Sequence, residues 1–330
     1  MLSEPQDLDQ AELAALLERH WRLEDVSLRY LPVGFGSHHW QAEDAGSTRW
    51  FVTLDELERS TVGDDGVSVF ARLEAAFGCA AFLRDDVALD FVVAPLRDES
   101  GAIIRRLGER YAVTVFPFVE GTSGSFGRYD SPDDRRLMGN VLGRLHVATE
   151  SLPAGLPRTD DLAIPARAAL EQALQELDDP WSTGPFAERT RRELRASAES
   201  ITAHLERYDE LAAGVRRGSD SWVLTHGEPH SSNVIRDERG GLHLVDWDTT
   251  LLAPRERDLR MVLDDDRTGW EEYVAVAGPA TLDEDALELY RRWWDLTEIA
   301  LYTHLFRRPH EETEDTSASW TYLGEYLRAL

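Results

Sequence analysis

Residues 225–235 read THGEPHSSNVI, and HLVDWD follows at 243–248. The first stretch gathers His226, Glu228, His230 and Asn233; the second adds Asp246 and Asp248. A carboxylate on a rigid loop, here Glu228, can accept a proton from a hydroxyl. The amide oxygen of Asn233 and the carboxylate of Asp246, which follows a short strand-like run, are donors that suit Mg²⁺. That ion takes few protein carboxylates and completes its shell with phosphates and water. Acid, amide and acid in this order are the parts that phosphoryl transfer uses, a positioner for the nucleophile and a clamp for the metal.

Two other chemistries compete for the same residues. His226, Glu228 and His230 could ligate zinc or iron. However, HGEPH lacks the helical H-E-x-x-H spacing, Pro229 opposes a helix, and no cysteine or clear third histidine accompanies it. A serine hydrolase would need a G-x-S-x-G elbow, and none occurs. On the phosphoryl-transfer reading His226 is expected to brace the loop by hydrogen bonds.

Composition sets the limits for the elements that must hold these groups. At 330 residues the chain suits two lobes, and 42% apolar residues suffice for packed cores. No apolar run approaches the roughly 18 residues of a membrane helix, and the polar, acidic MLSEPQDLDQ does not read as a signal peptide. Cys79 is the single cysteine, which excludes an internal disulfide and suits a reducing, cytoplasmic setting. The formal charge of −27 repels nucleic acid and anionic membranes and attracts cations, so a basic small molecule is the expected substrate class. The chain contains no lysine; all its basic side chains other than histidine are arginines.

The first third reads as a small β-rich lobe. Asp9 to Trp21 has helical periodicity, and VSLRYLPV, HHWQAE and RWFVTL alternate as strands around the GFGSHH and AEDAGSTR turns. Val67 to Leu83 reads as a helix, and DFVVAPL, AIIRRL and YAVTVFPFV as strands. The boundary is expected after residue 118, with 1–118 one lobe and 119–330 the other. The remainder is mostly helical: Ser131 with Pro132 marks a helix start, helices are expected near 164–177 and 185–211, and SWVLTH and GLHLVDW are β-like. Tyr290, Trp293, Trp294 and Tyr302 recur at helical spacing and read as core, as does Trp247.

HGEPHSSN followed by LVDWD resembles the catalytic loop and metal motif of the aminoglycoside phosphotransferase family, which is related to choline kinases and more distantly to protein kinases. His226, Gly227, His230, Asn233 and Asp246 match the family pattern. VGFGSHHW occupies the place of the glycine-rich phosphate loop, VFPFVEG that of the interlobe hinge, and RLHVATE and PRERDL those of later elements, the last at Asp258. The resemblance implies an α+β, bilobal, protein-kinase-like fold with a small N-lobe and a larger helical C-lobe. It implies an enzyme that uses ATP or GTP and Mg²⁺, with an aminoglycoside-type antibiotic as first candidate substrate. In that frame Glu228 is the base, Asn233 and Asp246 hold the metal, and Gly34, Gly36 and Ser37 cover the phosphates. Phe118 and Val119 offer backbone to the nucleotide base. Asp248, Asp264, Asp265 and Glu271 are candidates for a cationic substrate.

Two positions depart from the family. Glu228 stands where the family has aspartate, and an extra methylene moves the carboxylate by about an ångström, a displacement that can cost about a hundredfold in rate. The strand lysine that reaches the phosphates is absent, and Thr53 falls near its place. Its usual glutamate partner corresponds to Glu74, which the spacing of Val67, Phe70, Phe77 and Ala81 places inside an apolar stripe. Arg49, Arg72 and Arg84 are candidates to replace the lost charge. The rival reading is a binding protein that kept a kinase fold without turnover; a third is a kinase for a housekeeping metabolite.

Overall fold

The computed structural model describes the chain apart from residues 35, 58–66, 128, 130 and 265. In chain order the elements are α1 (Gln10–Trp21), β1 (Ser27–Leu31), β2 (His38–Glu43), β3 (Arg49–Glu56), α2 (Val69–Asp85), β4 (Arg105–Leu107), β5 (Tyr111–Pro117), β6 (Thr122–Ser123) and α3 (Pro132–Val147). Then come α4 (Arg167–Gln175), α5 (Ala187–Val215), β7 (Val223–Thr225), β8 (Val234–Arg236), β9 (Leu242–Leu244), β10 (Leu251–Ala253), α6 (Glu256–Val262), α7 (Trp270–Ala277), α8 (Glu284–Arg307) and α9 (Glu314–Ala329). This is an α+β fold with a sheet-rich N-terminal region and a helical C-terminal region.

Two compact units divide the chain. Met1–Thr61, Gly66–Asp160 and Ser221–Leu282 form the first; Asp161–Asp220 and Asp283–Leu330 make up the described part of the second. The end of β5 at residue 117 lies inside the first unit, so the N-terminal sheet and the catalytic loop share it.

The N-terminal sheet runs β1-β2-β3-β5-β4, with antiparallel neighbours throughout. Alternation along the strands sorts its side chains onto two faces. Trp40, Ala42, Val52, Leu54, Val113 and Val115 pack with Leu13 and Leu17 of α1 into one core. The other face carries Phe51, Ala112 and Phe116, which join the core that holds Phe77 of α2; the Phe77 and Phe116 rings meet edge-on at 5.6 Å. His39, Thr53 and Thr114 lie opposite one another on this second face, and Asp55 is two residues along from Thr53.

Helix starts follow local chemistry. Asp9 caps α1, Ser68 caps α2, and Ser131 caps α3 with Pro132 in its first turn; each cap side chain accepts an otherwise unpaired backbone N–H. Three expectations are corrected by packing. The DFVVAPL segment is not a sheet strand. Its apolar run is buried and clamps β9 instead, through Val93 N–H to Leu244 O (3.0 Å) and Leu244 N–H to Phe91 O (2.7 Å). Only Arg105–Leu107 of AIIRRL pairs with β5. Helix α2 is rotated from the expected stripe: Leu73, Ala76, Phe77, Ala80 and Leu83 face inward, and Glu74 is exposed.

In the second unit Tyr290 is fully buried, Trp293 Nε1 donates to Ala163 O (2.8 Å), and Trp294 Nε1 donates to the Tyr326 hydroxyl (3.0 Å). These aromatic rings serve packing, with each indole N–H satisfied.

Candidate active site

The loop between β7 and β8 is held from beneath by one carboxylate. Asp258, on α6, is fully buried and accepts the backbone N–H of His226 (2.9 Å) and of Gly227 (2.7 Å). His146 Nε2 donates to the same carboxylate (3.1 Å), and the Tyr273 hydroxyl lies 2.9 Å from His146 Nδ1. Burial by itself raises the pKa of Asp258, but the His146 bond and nearby positive charge outweigh it and hold the carboxyl below its ordinary value. It is therefore an ionised anchor.

His226 braces the loop from within. Its Nε2 donates to Val245 O (2.9 Å), its Nδ1 accepts the Glu228 N–H (3.2 Å), and its ring packs on Trp247 at 4.6 Å. One nitrogen donates and the other accepts, which is the neutral imidazole. Burial lowers its pKa to about 4, in keeping with that form. The first of its hydrogen bonds reaches the residue before Asp246, so this ring ties the Glu228 loop to the segment that carries Asp246. Tyr129 adds a strut by donating to Pro229 O (2.8 Å).

Gly227 is required by space as well as by backbone shape. Its φ is +102°, and a Cβ would fall 2.5 Å from both terminal nitrogens of Arg257. That guanidinium is itself fixed by the Thr225 hydroxyl and Thr249 O, each at 2.9 Å. Gly227→Ala is therefore expected to destabilise the protein by about 2–4 kcal/mol and to displace the loop. Chemical denaturation checks the first effect, and loss of phosphoryl transfer the second.

The reactive groups cluster above this frame. Glu228 Oε2 lies 3.7 Å from His230 Nε2. Burial raises the Glu228 pKa, but the His230 contact and the positive charge of Arg257 bring it below the ordinary value, so the carboxyl is ionised at neutral pH. Asn233 Nδ2 donates to Glu228 O (3.0 Å), which orients the amide and leaves Oδ1 as the acceptor for a cation. Asp246 is exposed, with a left-handed φ of +69°, a conformation that non-glycine residues adopt where the surroundings impose it. Partial enclosure by the surrounding protein, then the charges of Glu228 and Asp55, push its pKa up to about 6. Asp248 stands well above its ordinary range for the same reasons, with Asp246 the strongest charge on it. An amide oxygen and a carboxylate in a field of uncompensated negative charge fit Mg²⁺, which favours oxygen donors.

On the sheet side, Gly34 and Gly36 have φ of +69° and +90°, and the carbonyls of Gly34 and Ser37 accept from the Met1 nitrogen at 3.0 and 2.7 Å. Thr53 is buried with its hydroxyl unpartnered. No arginine substitution for lysine is evident at Arg49, whose guanidinium packs over Phe118 at 4.7 Å and pairs with Glu120, or at Arg84, which donates to Asp90 O. Phe118 and Val119 follow β5 and are half-buried. Beside Thr53, β3 contributes a carboxylate: Asp55 is 8% exposed and accepts from the Ser37 hydroxyl. Burial pushes its pKa up to about 6.

Raised carboxylate values have a definite sign. Asp55 binds its proton more tightly folded than unfolded, so the stability it adds is full below about pH 4 and is lost as pH rises through about 6. Asp55→Asn is therefore expected to stabilise the ligand-free protein at pH 7.5 by on the order of 1–3 kcal/mol and to change it little at pH 4.5. Thermal unfolding at the two pH values measures the difference.

The expected substrate carboxylates divide. Asp248 stands beside Asp246 in the site. Asp264 and Asp266 turn to Arg135, at 3.2 and 3.8 Å, so Asp264 is held by an ion pair. Glu271 is exposed in the first turn of α7, and Asp265 lies outside the described residues. Sequence reasoning missed Asp55, His146 and Arg257 and gave Asp258 no role. A buried acid two residues after Thr53 on the same strand face was the available signal for Asp55.

In fold and in sequence the chain resembles known proteins. Protein StrN of Streptomyces griseus is 27% identical over 318 residues, which cover 91% of this chain and 92% of that one. The crystal structure of spectinomycin phosphotransferase in complex with ADP and spectinomycin superposes with a TM-score of 0.75 at 18% identity, covering 98% of this chain and 99% of that one. A macrolide 2'-phosphotransferase from Brachybacterium faecium gives 0.53 at 19% identity, with 99% of each chain covered. Residues 27–302 match the model of the phosphotransferase enzyme family, and the chain accordingly belongs to that family as a small-molecule phosphotransferase.

Proposed function

We propose that this chain transfers the γ-phosphoryl group of ATP or GTP, with Mg²⁺, to a hydroxyl of a small cationic compound, with an aminoglycoside-type antibiotic as the first candidate. The observation that carries the proposal is the ionised Glu228 carboxylate on a loop anchored to Asp258, with Asn233 Oδ1 and Asp246 beside it. Glu228 would orient the acceptor hydroxyl and take its proton as the oxygen attacks phosphorus. Asn233 and Asp246 would hold Mg²⁺, which when bound offsets negative charge on the phosphates. Residues 1–118 would form the nucleotide lobe, with Gly34, Gly36 and Ser37 over the phosphates, Thr53 beneath them, and the backbone of Phe118 and Val119 against the base. Residues 119–330 would carry the catalytic loop, metal site and substrate region. Glu74, being exposed, is left without a part.

Support for a cationic acceptor comes from the net charge of −27 and from Asp248 and Glu271. The likeness to spectinomycin phosphotransferase makes spectinomycin one of the first compounds to try. The test is a thermal-shift titration with Mg-ATP and Mg-GTP, followed by product detection with aminoglycosides, spectinomycin and small amino alcohols. Nucleotide-dependent phosphorylation of an acceptor is expected. Nucleotide binding without any phosphorylated product across the panel would favour a binding protein.

A further inference from the structure

We propose that Asp55 is a cation ligand: it holds a divalent cation that enters with the nucleotide and is distinct from the one assigned to Asn233 and Asp246. The inference rests on the nucleotide-binding reading above. Asp55 is 8% exposed, one carboxylate oxygen accepts from the Ser37 hydroxyl of the glycine-rich loop, and the other, Oδ2, is buried with no hydrogen-bond partner. A buried carboxylate oxygen without a donor is costly, and folded proteins retain such groups chiefly where a ligand or function uses them.

Its neighbours point to the kind of ligand. On the same sheet face the Thr53 and Thr114 hydroxyls, directly opposite one another, are also buried and unpartnered. On the nucleotide-binding reading the phosphates lie against the glycine-rich loop whose Ser37 hydroxyl donates to Asp55, with Glu228, Asp246 and Asp248 in the same site. A phosphate chain brought into this set would add negative charge to four carboxylates, and the chain has no lysine to offset it. A cation between Asp55 and the phosphates removes both difficulties.

Among the described residues no three His, Cys, Asp or Glu side chains converge to hold a metal by themselves. The ion therefore depends on the nucleotide to complete its shell, in the way Mg²⁺ commonly combines one or two carboxylates with phosphate oxygens and water. The Thr53 and Thr114 hydroxyls are then placed to accept from that water or to donate to phosphate.

The experiment counts Mn²⁺ bound per chain, from the electron paramagnetic resonance signal of the free ion, at AMP-PNP concentrations that saturate each protein. The wild type is expected to bind one more Mn²⁺ per chain than Asp55→Asn. Asp55→Ser, which also removes the carboxylate, is expected to match Asp55→Asn and guards against a variant that folds poorly. Equal Mn²⁺ counts in the wild type and both variants, with nucleotide bound, overturn the Asp55 site alone. Failure of the wild type to bind AMP-PNP at all overturns the nucleotide-dependent function and this site with it.

Discussion

Glu228→Gln is expected to lower kcat by about 10²–10⁴-fold while nucleotide affinity changes little. The amide has nearly the shape of the carboxylate, so the backbone contacts at this position, to His226 Nδ1 and from Asn233 Nδ2, survive the change. What disappears is the acceptor for the hydroxyl proton. The wild-type carboxyl lies below its ordinary pKa because His230 and Arg257 outweigh the effect of burial, so turnover should not fall through protonation of Glu228 as pH drops from neutral to the ordinary carboxylate range. Glu228→Asp adds a second measurement. Its loop is tied at both ends and cannot advance freely, so the shorter side chain withdraws the carboxylate by about an ångström and should cost roughly tenfold to a hundredfold. Steady-state rates for the three proteins decide the matter: equal turnover in wild type and Glu228→Gln would remove Glu228 from the chemistry.

Asp258→Ala is expected to be the most damaging single change to the frame, destabilising the protein by about 3–5 kcal/mol. The carboxylate is fully buried and accepts from two consecutive backbone N–H groups and from His146. Truncation leaves both amides and the imidazole without their acceptor, in a place water does not reach. The loop carrying Glu228 loses its floor, so activity should fall with stability. Asp258→Asn separates the two effects, because the amide keeps one acceptor oxygen but presents an N–H₂ to one of the backbone donors or to His146. Urea denaturation should rank the proteins wild type, Asp258→Asn, Asp258→Ala in falling stability. Unchanged midpoints in Asp258→Ala would show that the loop is held by other contacts.

Much of the catalytic loop was legible because its parts are close in sequence. The order Glu228, Asn233, Asp246 fixes which groups can meet across one short hairpin, and Pro229 and Gly227 exclude a helix there. The cap of α3 was legible for the same reason: Ser131 acts on a backbone N–H three residues on. The strands of the N-terminal sheet announced themselves by alternation, and HHWQAE forms β2 over its full length.

What failed did so where distant parts of the chain compete. DFVVAPL has the composition of a strand, but its backbone is taken by Leu244, some 150 residues on. The rotation of α2 turned on which residues met Phe116, and Glu74 lost its inward place to Leu73 and Phe77.

By itself the sequence determined the catalytic inventory, the absence of lysine, the acidic charge and the helix starts, since composition and contacts within a few residues decide these. The tertiary structure alone decided the surroundings of each carboxylate. Asp258 is an anchor because it meets amides 31 and 32 residues away, and Asp264 is an ion-pair partner because Arg135 reaches it. Asp55 shares a sheet face with Thr53 and Thr114 because β3 pairs with β5 in that register. A carboxylate's role depends on the donors and charges around it, and for these residues the surroundings come from elsewhere in the chain.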